Sequence, residues 1–143
     1  MDEVSLVAEM HRQMAFGAAI LGGFAVTFLS ALLVAFAPEQ RVGTWAIGLA
    51  TTAAMLLIVA TVAQTFVLLG VPQFELTWDY SRWPAFILRS KWIGDVSFFV
   101  GIAMLFLGVG LSGWVRSQAT GYVTATVAAI GVVLILAILL PTF

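Results

Sequence analysis

Asp95 is the acidic residue that falls inside one of the long apolar runs of this chain, and Lys91 stands four residues before it on the same helical face. A carboxylate at that depth is costly unless it is paired. The spacing therefore predicts a local Lys91–Asp95 ion pair, with a role in an ion pathway or gate as the functional alternative. Arg12 and Arg89 are further candidate partners, because the ends of the first and third runs share one membrane side. Gln64, in the second run, carries an amide that must find a partner in an apolar medium. Asp95 or a backbone carbonyl would satisfy it, so contact between helices explains Gln64 better than transport chemistry does. Gln64, Lys91 and Asp95 make up the candidate intramembrane polar network. Thr61 and Thr65 can return their hydroxyls to carbonyls of their own helix.

His11-Arg12 is a compact basic pair at the entrance to the first run. Topology and contact with lipid headgroups account for it. Alternatively, several subunits project Arg12 towards a shared pore mouth, and His11 brings pH sensing within reach. No catalytic set accompanies these residues. Cysteine is absent, the single histidine has no acid-base partners beside it, and the carboxylates are widely separated. Gly22-Gly23 has neither the preceding strand nor the following basic and hydroxyl residues of a phosphate loop. No zinc-protease or calcium-loop spacing occurs. The chain reads as non-enzymatic, without cofactor or metal. Its net charge of −1 and six scattered Lys and Arg residues offer no basic stripe for nucleic acid.

The elements that must position these residues are four apolar runs, near Gln13 to Ala37, Val42 to Val71, Trp92 to Trp114 and Ala119 to Leu140, each about the 20 residues that a bilayer crossing needs. With 62% hydrophobic and 9% charged residues and a mean hydropathy of +1.11, helices apolar all round suit lipid and not water. The expected fold class is all-α: one polytopic membrane domain over residues 1–143 with four transmembrane helices. Residues 1–12 form a short amphipathic segment, and 73–90 an interfacial connector carrying Trp78, Tyr80, Trp83, Arg82 and Arg89. The first run lacks a processing site and reads as a retained span. Pro38-Glu39-Gln40-Arg41 leaves room for a tight hairpin, and Gly70-Val71-Pro72 should break the second helix.

Gly94, Gly101 and Gly108 recur every seven residues and place one small-residue face on the third helix. The last run, rich in Val, Leu and Ile, suits a lipid-facing helix. Arg12, Arg82, Arg89 and Lys91 on one side, against Arg41 and Arg116 on the other, put both termini in the cytoplasm. A plasma membrane or a prokaryotic inner membrane is the expected location.

Through Gly23-Phe24-Ala25, the later Val71-Pro72-Gln73-Phe74-Glu75, and Thr51-Thr52 in the second run, the chain resembles the Orai family of calcium channels. The resemblance implies a homo-oligomer, a hexamer in that family, in which the first helix of every subunit lines one axial pore. Arg12 would match the basic section of that pore, and Phe16 falls where the family has another basic residue. Ile20, Gly23, Phe24 and Thr27 would match gate and hydrophobic-pore positions, and Ala31 the outer filter glutamate. Ala31 cannot supply negative oxygen ligands, so the implied function is an Orai-like channel for permeating cations with weak selectivity. The other class open to the sequence is a structural or regulatory membrane subunit without a pore of its own.

Overall fold

The computed structural model describes residues 2–35 and 41–139, with the side chains of 115, 116 and 134–139 outside the description. The expected connection at Pro38-Glu39-Gln40 and the run's end at Leu140 lie outside the described residues. Four helices account for nearly all of the rest: α1 (Glu3–Ala35), α2 (Arg41–Phe74), α3 (Ala85–Arg116) and α4 (Gln118–Leu139), with one 3-10 turn at Tyr80–Arg82. Three of them, over Glu3–Ala35, Arg41–Phe74 and Ala85–Trp114, are long and apolar enough to span a membrane. At 33 residues α1 runs about 50 Å, well beyond a hydrocarbon core of about 30 Å.

The helices stand in chain order. α2 packs between α1 and α3, α4 packs on α3, and α1 touches α3 only marginally. Each neighbour runs antiparallel to the last. The order follows from side-chain size along α2, where Ala46, Ala50, Ala53, Ala54 and Ala60 are buried and let two helices approach closely. Gly22 of α1 meets Leu57 from one side at 3.5 Å, measured from the position its Cβ would take, and Gly101 of α3 meets the same leucine from the other side at 3.0 Å. The seven-residue glycine repeat does form one face, directed at α2: Gly94 lies against Ala63 and Gln64, Gly101 against Leu57, and Gly108 against Leu49 and Ala50.

Three local expectations are corrected. Residues 3–12 are not a separate surface segment but the first turns of α1, because Val7 and His11 are buried and nothing in the sequence interrupts the helix. Pro72 does not break α2, which continues to Phe74. The proline ring removes one intrahelical bond, the one that an N–H there would have given the Leu68 carbonyl, yet the helix runs on to Phe74 and stops at Glu75, whose φ is 46°. There the Leu76 N–H returns to the Val71 carbonyl at 3.2 Å, closing a C-terminal cap of the left-handed type. The connector is consequently shorter than residues 73–90, since α3 already begins at Ala85 behind Pro84.

That connector folds inward. Leu76 and Trp83 join Val7, Val67, Val71 and Ile87 in a buried cluster, and the Trp83 indole N–H donates to the Thr77 carbonyl at 2.9 Å. At the other end of the bundle α3 and α4 are joined through Ser117 alone. Their seam is held by the Thr124 hydroxyl, which donates to the Gly110 carbonyl at 3.0 Å.

Candidate functional site

Near the first turns of α1, three helices bring their few polar side chains to one place. Lys91 Nζ lies 2.6 Å from Asp95 Oδ2, the i,i+4 pair within α3. Both side chains are largely removed from solvent, at 13% and 19% exposure, and the ammonium also lies 4.9 Å from the Tyr80 ring centroid and 5.3 Å from that of Trp92. The other carboxylate oxygen, Oδ1, accepts from the Gln64 amide nitrogen at 2.8 Å. Gln64 is fully buried, and its amide oxygen faces His11 Nδ1 at 2.5 Å. Lys91, Asp95, Gln64 and His11 therefore form one continuous chain of contacts through α3, α2 and α1.

Physical chemistry orients every link of this chain. Asp95, beside the Lys91 ammonium, offers acceptors to its neighbours, so Gln64 must turn its NH2 towards it. The amide oxygen then points to His11, and an oxygen that can only accept requires the proton on Nδ1. Gly94 makes the arrangement fit. A Cβ there would stand 2.9 Å from Gln64 Nε2. The far side of the imidazole packs against Trp83, with ring centroids 6.0 Å apart.

The sequence located Gln64, Lys91 and Asp95 as a network, but it assigned His11 to headgroup contact. The structure overturns that assignment: His11 is 0% exposed. What hid it is tertiary, since the connector folds back over it and Gln64 reaches across from α2. Arg12, one residue on, faces outward and pairs with Glu9 at 2.8 Å, and Arg89 is exposed, so neither serves Asp95. Thr61 and Thr65 bond carbonyls one turn back, at Leu57 and Thr61.

The residues matched to pore positions form a second set. Arg12, Phe16, Ile20, Gly23, Phe24, Thr27 and Ala31 are all exposed in the single chain. On an ideal helix they fall within an arc of roughly 120°, opposite the stripe of Val7, His11, Ala18, Gly22, Ala25 and Leu32 that is buried within the chain. Phe16 is 67% exposed, and Ile20 and Phe24 are each 55% exposed. The Phe24 ring lies parallel to that of Phe28, with centroids 6.4 Å apart. No Cβ contact would meet Gly23, unlike Gly22 beside it. Thr27 spends its hydroxyl on the Gly23 carbonyl at 3.0 Å. Among the described residues no group of His, Cys, Asp or Glu could hold a metal ion.

No protein-family model matches the chain, and neither a curated protein nor a solved structure matches it.

Proposed function

We propose that the protein is an integral membrane channel for cations, built from several copies that turn the open arc of α1 towards a common axis. The observation that carries this reading is the position of that arc. In the row α1–α2–α3–α4, α1 is an end helix, and the face opposite its buried stripe holds Phe16, Ile20, Phe24, Thr27 and Ala31 in succession. Rings of Ile20 and Phe24 suit a constriction that gates by dewetting. Ala31 adds no charge at the outer level, so the pore conducts with weak selectivity and is Orai-like in plan without an acidic filter. All four helices cross the bilayer, since the 22 residues of α4 run about 33 Å, and both termini lie in the cytoplasm.

A second reading rests on the same face. It is as apolar as the open side of α2, where Met55, Val62, Phe66 and Leu69 are exposed, and such a surface also suits lipid or the helix of another subunit. The protein would then be a structural or regulatory subunit with no pore.

Flux of sodium, potassium and calcium through purified protein in liposomes, against empty liposomes, separates the two. The channel reading expects protein-dependent flux with little preference among the three ions. Folded oligomers that pass none of them would leave the subunit reading.

A further inference from the structure

The buried polar chain ends on an atom without a partner. With the proton on Nδ1 given to Gln64, His11 Nε2 is a bare acceptor, fully buried and without a hydrogen-bond partner among the described residues. A buried acceptor in that condition carries a cost that a native structure does not hold without consequence. We infer that His11 is a proton-operated latch: unprotonated, it fastens α1 to α2, α3 and the connector, and a proton on Nε2 releases α1. The inference goes beyond the channel reading and does not depend on it.

The charges around the ring decide the direction. From α3 come Asp95 and Lys91, which pair with each other. From α2 comes Gln64, which is uncharged and whose oxygen is already committed to Nδ1. The connector contributes Trp83 against the ring, with Tyr80 edge-on beyond it and Asp79 paired to Arg82 at the surface. On α1 itself Glu9 and Arg12 neutralise each other outside. Among the described residues no carboxylate is hydrogen-bonded to Nε2. A proton there creates a second cation beside the Lys91–Asp95 pair and a buried N–H with nothing to donate to. Hydration is the available remedy, and it requires the α1 seam to part. An open groove of about 430 Å³ flanks this turn of α1, lined by Val4, Ala8 and Arg12 on one wall and Leu68 and Val71 on the other. It runs along the α1–α2 seam beside His11's neighbour Arg12, so parting that seam would join it to the ring. Because α1 runs unbroken from this junction to Ala35, its release would move the whole open arc.

Two features of the sequence make the test unambiguous: the chain has one histidine and no cysteine. Ring-15N histidine in full-length protein in lipid nanodiscs reports the tautomer and the protonation of His11 between pH 8 and 4.5. The expected spectrum at pH 8 has the proton on Nδ1, and Gln64→Leu should allow the other tautomer. In parallel, Val7→Cys places a thiol on the buried side one turn before His11, and Leu6→Cys provides an exposed reference. The ratio of their labelling rates cancels the intrinsic pH dependence of the thiol. That ratio should rise by about tenfold or more as His11 takes up its proton, equivalent to about 1.4 kcal/mol of opening. In His11→Gln it should stay flat.

A ratio that is unchanged while His11 titrates overturns the latch. So does a histidine that never titrates over this range, or a pH-dependent ratio that persists in His11→Gln. If His11→Gln does not fold, the spectra and the labelling ratio on the histidine-bearing chain still decide. None of these readouts uses ion flux, so the latch and the channel can fail separately.

Discussion

Gly94 and Gly108 look equivalent in sequence, two heptads apart on one face of α3, yet the packing around them predicts opposite responses to alanine. A Cβ at position 108 would sit 3.5 Å from Leu49 Cβ and 3.6 Å from Ala50 N, ordinary contact distances. Gly108→Ala should therefore keep the benefit of helix propensity and be neutral or stabilising by up to about 1 kcal/mol. At position 94 the new carbon would stand 2.9 Å from Gln64 Nε2 and 3.2 Å from both Gln64 Cδ and Ala63 Cβ. Gln64 cannot yield without leaving Asp95 or His11. Overpacking of about 1–3 kcal/mol, plus two lost interhelical hydrogen bonds at about 0.6 kcal/mol each, outweighs a propensity gain of about 1 kcal/mol. The net expectation for Gly94→Ala is a loss of about 1–3 kcal/mol. Reversible unfolding in mixed detergent micelles, with both variants in one series, measures the difference. If Gly94→Ala proves as stable as Gly108→Ala, the buried chain through Gln64 does not hold the helices in the way described.

The remaining expectations can be tested in the same preparations. Lys91→Met leaves the Asp95 carboxylate without its cation in a largely buried site and should cost about 3–5 kcal/mol, most of it recovered in Asp95→Asn on the same background; equal stability of the two variants would refute this. Phe24→Ser should raise basal ion leak in liposomes if α1 surrounds a pore, and unchanged flux in folded assemblies counts against an axial Phe24. Asp79 caps the 3-10 turn of the connector, and the Ser81 hydroxyl and then the Ser81 N–H, with Arg82 adding to them, hold its carboxyl below the usual carboxylate range. A depressed value in the fold means that this cap helps the turn above the ordinary carboxylate pKa and is lost as pH falls through the lowered one. Amide exchange at Ser81 to Trp83 should accelerate below about pH 4 relative to its intrinsic rate, and Asp79→Asn should remove that acid step.

The two clusters differ in how far the sequence reveals them. Lys91 and Asp95 are four residues apart, so their pairing follows from helix geometry alone. Gln64 and Asp95 lie 31 positions apart, and the need of a buried amide for a partner was enough to suggest the contact. His11 and Gln64, 53 positions apart, gave no such signal, because histidine beside arginine at the end of an apolar run suits an interface equally well. The burial of His11 depends on a connector that turns inward at Glu75 and seats Trp83, and neither event leaves a periodic trace. Pro72 misled because a proline removes one hydrogen bond of its helix and does not by itself fix the residue at which the helix stops; that residue is Glu75, with its left-handed backbone.

Composition and run length by themselves determined that the chain is all-α with four apolar helices, because apolar length is a one-dimensional property; they put all four across a bilayer, and among the described residues three have the length and apolarity to span one. The seven-residue spacing of glycines likewise determined that α3 has one close-packing face. Which helix meets that face was decided by tertiary structure. Helices that are apolar on every side carry no amphipathic stripe to say which side turns inward, so the central place of α2, the packing of α4 on α3 and the open arc of α1 emerge only when small residues on different helices come into register. The same register draws His11, Gln64 and Asp95 into one chain, since a buried polar group is satisfied only by neighbours that packing brings within reach.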